Sequence, residues 1–361
     1  MSDSTTSSSD PLAWVHDPGS ETMEAHARAM RNAGLVELPA LTEVHFTGAD
    51  RARFLHNLCT NDVLRLVPGS GCEAFVTNVQ GKTIGHGIVF CESDRLAFVT
   101  VAGQADVLLP HWDRYLITED VQLLDRSPEL CHLLVFGPQA AAVVDRATQV
   151  DGLTSTLAGP WDHRPVGGET SGGTGTANAM VRHVSMLATQ AYLLAVAASD
   201  RDAWAGRLGS AGAASVPPEV FQMARVEAGW PRFGWDISDR NLPQEVDRDA
   251  LAISFRKGCY LGQETVARID AVGHVNRMLT RLVSSDTLTP CPGTPLLIDG
   301  QAAGEVTSSA FSPTRGKGLA LAYVRCSVRT PGTVLVTPEG KPLTVDERPS
   351  GPSTSDSSST N

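Results

Sequence analysis

The chain has 361 residues, 42% of them hydrophobic, which is enough for two or three packed units, and its 40 acidic against 29 basic residues give a net charge of −11 at pH 7. That sign opposes nonspecific binding to nucleic acid or to an anionic membrane surface, and the longest apolar stretch, residues 186–198, is broken by Thr189 and Gln190 and is too short to span a bilayer. Seven cysteines (Cys59, Cys72, Cys91, Cys131, Cys259, Cys291, Cys326) form no C-x-x-C pair and are odd in number, so we expect no disulfide framework, no metal site and a reducing, cytoplasmic setting.

Residues 1–12, rich in Ser and Thr with Asp3 and Asp10, lack the marks of a signal or transit peptide and read as a disordered tail. A strand at 44–46, a turn at Gly48-Ala49-Asp50 and a helix burying Phe54, Leu55, Leu58 and Cys59 follow. Residues 73–79 and 83–90 flank Gln80-Gly81-Lys82 as a hairpin, and 95–101 continue as a third strand. The helical stretch 105–115 carries Pro110, which predicts a kink or break, and 121–124 supply another strand. A second unit starts on the apolar strand 130–136, in which Cys131 and His132 read as plain strand residues, and runs through Gly137-Pro138 into a helix near Gln139. Residues 165–177, rich in Gly and Thr, predict a flexible surface loop. The fold resumes with 186–198 and a helix over 200–208, and Pro217-Pro218 opens a helix that stops at Gly229. Short strands at 294–298, 303–309, 318–324 and 333–337 predict a small β-barrel. The expected organisation is an α+β region over 13–279 in two subdomains with antiparallel sheets, a C-terminal barrel over 280–346, and a disordered tail over 347–361.

The chemistry is densest in residues 256–268, where Gly262 precedes a short helix with Glu264 in its first turn and Arg268 four residues on, a favourable pairing order. Cys259 would stand just outside that helix, with Arg256, Lys257 and the helix dipole favouring its thiolate. The competing reading is a buried, inert cysteine, the usual fate of a free thiol. Glu227 is oddly placed for a carboxylate, in the last turn of its helix, and is either an exposed glutamate or a ligand for two parallel N–H donors.

The run Lys257-Gly258-Cys259-Tyr260-Leu261-Gly262-Gln263-Glu264, with Arg268 behind it, resembles the K-G-C-Y-x-G-Q-E signature of the folate-binding YgfZ family, relatives of the glycine-cleavage T-protein linked to iron-sulfur cluster maintenance. The likeness extends over about residues 35–340, including 307–313 and 319–325. It implies a three-subdomain ring with tetrahydrofolate or a derivative in the central opening, and iron-sulfur client or assembly proteins as partners. The resemblance makes Cys259 the reactive thiol with Lys257 and Arg268 beside it, and puts Glu227 on the pterin with Arg225, Gln263 and Glu264 on the cofactor side. It favours an accessory protein over an enzyme; the alternative is a folate-dependent one-carbon transferase, aminomethyl or methyl. Against transfer stands one departure. Where aminomethyltransferases of this fold carry G-x-x-x-D-D, this chain has Gly81-Lys82-Thr83-Ile84-Gly85-His86, and both acids are absent. His86 is then either a proton carrier or a strand histidine without an orienting partner.

Overall fold

The structure, a computed structural model, describes residues 14–15, 18–167 and 178–347. The tails expected over 1–12 and 347–361, the latter from residue 348 on, and residues 168–177 of the expected loop lie outside the described residues. The chain enters on β1 (Trp14–Val15), α1 (Gly19–Arg31) and β2 (Gly34–Glu37). A first unit follows, with β3 (Thr42–Thr47), α2 (Arg51–Leu58), β4 (Gly71–Thr77), β5 (Thr83–Cys91), β6 (Leu96–Thr100), α3 (Ala105–Asp113) and β7 (Gln122–Asp125). Its five strands pair antiparallel in the order β4-β5-β6-β3-β7. The second unit comprises β8 (Leu130–Phe136), α4 (Ala140–Thr148), β9 (His163–Val166), β10 (Ala179–His183), β11 (Ala191–Ala197), α5 (Arg201–Ser210) and β12 (Ala214–Ser215). It borrows β2 to complete the order β12-β2-β8-β11-β10-β9.

The apolar run of β8 shows why the units stack. Successive strand side chains alternate faces. Leu133 and Val135 pack with Val143, Val144, Trp204 and Leu208 of α4 and α5, whereas Leu134 and Phe136 meet Ile88, Phe90 and Val99 of the first sheet. A strand covered on both faces must be apolar throughout. The outer face of the first sheet is closed by α2 and α3, with Phe54, Leu55, Leu108 and Trp112 against Phe46, Val89 and Phe98. The result is helices, sheet, sheet, helices. Pro110 does not break α3, which runs through it. Because the helix begins at Ala105, the proline removes only the N–H that would reach Asp106.

Between the two sheets lies a buried charge. Glu43 on β3 accepts two bonds from Arg182 of β10 (2.8 and 2.7 Å) and is hydrogen-bonded to His132 of β8 (2.9 Å) and His45 (2.8 Å). Burial alone would raise the Glu43 pKa, but the Arg182 guanidinium and the two imidazoles hold it well below the usual carboxylate range. His132 is thus more than a packed strand residue.

After β12 come α6 (Pro218–Ala228), α7 (Asp249–Ala252) and α8 (Gln263–Val272). The ends of α6 follow from sequence: Pro218 opens it, and Gly229 at φ 72° lets its N–H and that of Trp230 close on the last carbonyls. The remaining strands, β13 (Arg277–Ser284), β14 (Pro295–Ile298), β15 (Gln301–Ser312), β16 (Lys317–Arg325), β17 (Val334–Val336) and β18 (Pro342–Val345), close into a six-stranded barrel, with β1 added parallel to β15. Met223 and Val226 of α6 pack on its wall at Ala310, Leu319 and Leu321. This α6 contact fixes the barrel beside the stacked sheets.

Candidate functional site

A cavity of about 80 Å³ opens where the inner ends of both sheets meet α6 and the loop after it. Its walls are almost wholly apolar, with Leu38, Ile88, Phe90, Val99, Leu193, Phe221, Trp230 and Phe233 among them. His86 of β5 is its main titratable feature. The imidazole is 4% exposed and lies between the rings of Phe75 (4.9 Å) and Trp230 (5.7 Å).

His86 has the orienting partner that the sequence did not disclose. Its Nε2 is 2.7 Å from Oε1 of Glu73, a fully buried carboxylate on β4. The register pairs Phe75 with His86 and Glu73 with Ile88, so Glu73 is the diagonal neighbour of His86 on one sheet face. Arg248 grips both oxygens of Glu73 and lies 4.4 Å above the Trp230 ring. Burial pushes the Glu73 pKa up, yet Arg248 and then His86 bring it down to about 2. Against the Glu73 carboxylate, Nε2 of His86 is the donating nitrogen and Nδ1 is left without a partner on Glu73.

A pH dependence follows. The folded pKa values of Glu43 and Glu73 lie below the ordinary value of 4.5, so their stabilisation is complete above that pH and is lost as the pH falls through the folded values. For Glu73 alone, a shift from 4.5 to about 2 corresponds to roughly 3 kcal/mol. Urea midpoints should fall steadily from pH 5 to pH 2; a flat profile there would contradict the burial of these anions.

The signature segment divides into structural and exposed parts. Lys257 is buried, and its Nζ donates to the carbonyls of His56, Cys59 (2.7 Å) and Asn61 (2.8 Å), capping the C-terminal end of α2 where a cation is favoured. Its three hydrogen bonds are directed at the end of α2 and at the segment around the buried Cys59. Gly262 has φ 80°, and a Cβ there would come within 2.4 Å of the Asn78 carbonyl in the β4–β5 turn. Thr77 Oγ1 donates to the Leu261 carbonyl (2.6 Å), which ties this segment to the hairpin, and Gln244 Nε2 donates to that of Val266 (2.7 Å), which ties α8 to the stretch before α7. Cys59 is core as expected, but Cys259 is exposed. It borders an open depression of about 620 Å³ with Asp50, Arg53, Tyr115 and Glu119. Glu264 and Arg268 are exposed with no ion pair joining them among the described residues, and Gln263 is half-buried at the start of α8. None of these three lines the cavity beside His86. Among the described residues no group of His, Cys, Asp or Glu could hold a metal ion.

On α6, Arg225 borders the cavity and makes four hydrogen bonds to protein groups. It donates to Gln222 (2.6 Å), the Trp230 carbonyl (3.0 Å), Asp236 (2.7 Å) and Ser308 (2.7 Å), tying helix, loop and barrel together. Glu227, two residues on, faces away from Arg225 around the helix and is not part of the cavity wall. Its Oε1 accepts from Ser312 Oγ of the barrel, and Arg281 donates to its carbonyl.

Two stacked, mainly antiparallel sheets joined to a six-stranded barrel, with an apolar cavity lined by an imidazole that a buried carboxylate orients, define a ligand-binding α+β protein of three units. The chain matches the GCVT N-terminal domain over residues 11–257 and the glycine cleavage T-protein C-terminal barrel domain over residues 277–349. It belongs to the glycine cleavage T-protein family. Similar proteins include aminomethyltransferases from Frankia alni, 30% identical over 91% of this chain and 89% of that one, and from Rubrobacter xylanophilus, 26% identical over 83% and 78%. The solved glycine cleavage system aminomethyltransferase T from Bartonella henselae superposes with a TM-score of 0.79 at 21% identity, over 92% of this chain and 90% of that one, which shows the shared fold. Tetrahydrofolate is the family's cofactor, as the resemblance in the sequence implies.

Proposed function

We propose that the protein is a folate-dependent one-carbon transferase, and that the pair Glu73–His86 handles its proton transfers. The carrying observation is that His86 lines the cavity while Glu73, locked by Arg248, fixes its ring and its tautomer. This replaces the accessory role as the leading reading. The absent acidic pair argued against transfer only while His86 lacked a partner; relatives named aminomethyltransferase support the same choice.

The residues present fit a pterin. Flat aromatic walls at Phe90, Phe221 and Trp230 suit a planar two-ring body. Tetrahydrofolate, when bound, supplies the nitrogens that accept a one-carbon unit. His86 takes or returns a proton at Nδ1, while the Glu73 anion stabilises the imidazolium so formed. The apolar walls exclude water around the imidazole, which strengthens its interaction with Glu73.

The sequence resemblance assigns Glu227, which stands outside this cavity wall, to the pterin edge, and calorimetry with tetrahydrofolate tests this. Glu227→Ala should weaken binding by about 1.5–3 kcal/mol, the worth of a charge-assisted contact. Equal affinity in wild type and variant would remove Glu227 from the site.

Iron-sulfur maintenance through Cys259 remains as a second reading, on one observation: the thiol is exposed at an open depression while its motif neighbours Lys257 and Gly262 are engaged in packing. A single thiolate holds no cluster by itself, so this reading requires a partner protein. It predicts that Cys259→Ser loses support of iron-sulfur enzymes in cells while tetrahydrofolate affinity is unchanged.

A further inference from the structure

The walls beside His86 are apolar, but the charge they carry is positive. Four polar side chains border the cavity, and three of them are buried: His86 itself, Thr100, whose Oγ1 donates to the His86 carbonyl (2.6 Å), and Arg225, whose donors reach Gln222, Trp230, Asp236 and Ser308. The fourth, Arg232 in the loop after α6, is half-buried, so it stands where the wall meets solvent. Its backbone is pinned. The N–H donates to Asp236 Oδ2 (3.0 Å), the same oxygen that Arg225 grips, and the carbonyl accepts from the Asp236 N–H (2.8 Å). Its side chain is stacked as well, with the guanidinium 4.1 Å from the centre of the Trp235 ring. No carboxylate borders the cavity among the described residues, so this rim is cationic in a chain whose net charge is −11. Such a chain repels anions in general, and a fixed cation at the rim draws one to this place.

We propose that Arg232 is a specificity-determining residue at the rim of this cavity, where its guanidinium pairs with a carboxylate on the tail of the bound folate. This rests on the folate reading above and adds what that reading leaves open, the part of the ligand that lies outside the apolar walls. Tetrahydrofolate joins a flat, uncharged ring system to a glutamyl tail that carries two carboxylates. The rings suit the apolar interior next to His86, but burying the tail there would strand its charges, so the tail leaves through a part of the wall that meets solvent. A guanidinium stacked on an indole is engaged through its face, while its N–H donors lie in its plane, the geometry that takes a carboxylate in bidentate fashion. Stacking also fixes the side chain in advance, so less freedom is lost when the ligand binds.

Calorimetry with tetrahydrofolate and with its dimethyl ester, which keeps the rings but has no charge on the tail, tests this. Wild type should bind tetrahydrofolate about 5- to 30-fold more tightly than the ester, the range of a charge-assisted contact at a half-buried site. Arg232→Gln should bind the two ligands within about twofold of each other, and the ester as wild type does. Equal binding of acid and ester by wild type overturns the proposal. An Arg232→Gln variant that weakens both ligands equally overturns it too, since the arginine then only packs on Trp235. Should Arg232→Gln fail to fold, Arg232→Lys decides. It keeps the charge without the planar fork and should prefer the acid less than wild type does; an undiminished preference overturns the assignment. Wild type that binds neither ligand refutes the folate reading itself and this proposal with it, whereas binding of both without preference leaves that reading standing and removes Arg232 from it.

Discussion

Glu43→Ala should cost about 3–5 kcal/mol of folding stability, because it strands a buried Arg182 and two imidazoles without their anion. Arg182 is 1% exposed, so water cannot replace the lost carboxylate. Glu92 stands 4.0 Å from the guanidinium, a distance that permits attraction but no hydrogen bond. His45→Ala removes a single bond to the same carboxylate and should cost only about 1 kcal/mol. The contrast matters because Glu43 on β3 joins β8 and β10 of the other sheet, and the cavity lies at the seam that this joint holds. Urea denaturation of both variants checks it. A loss below about 1 kcal/mol in Glu43→Ala would mean that Glu92 takes over the guanidinium and that the seam does not depend on this anion.

Much of the fold is legible in the sequence because its causes are local. The unbroken apolar run of β8 announces a strand covered on both faces, Pro218 and Gly229 bound α6, and Gly81 marks the hairpin turn. What escapes such reading is set by distance along the chain. Glu73 and His86 meet only through the hairpin register, and Arg248, their anchor, is 175 residues from Glu73. The Glu43 cluster joins residues separated by 89 and 139 positions, so no window of sequence contains it.

The signature segment shows the opposite difficulty. Its density suggested chemistry throughout, yet Lys257 serves the end of α2, 198 residues away at Cys59, and Gly262 serves close backbone approach to the hairpin. Of its two proposed thiol partners, neither Lys257 nor the exposed Arg268 is joined to Cys259 by any hydrogen bond among the described residues. β13 and β18 went unrecognised for a related reason. Their apolar positions, such as Leu282 and Leu343, are buried only once the barrel closes around them.

His86→Ala should lower one-carbon transfer by about 10²–10⁴-fold, the usual contribution of a positioned acid–base group, while leaving tetrahydrofolate affinity within a few fold. The imidazole contributes its basic nitrogen to the proton transfer, whereas the apolar walls that hold the ligand remain after truncation. Losing His86 also leaves Glu73 with Arg248, an ion pair that needs no third member to stay satisfied. Folding should therefore survive the substitution, and the loss should fall on the rate. The deciding measurement is the rate of methylenetetrahydrofolate formation from tetrahydrofolate and an aminomethylated carrier, in wild type, His86→Ala and Cys259→Ser. We expect product from wild type and from Cys259→Ser at similar rates, and a hundredfold loss or more in His86→Ala. No product from folded, folate-bound wild type, or equal rates in wild type and His86→Ala, would contradict the assignment of Glu73–His86 as the working pair.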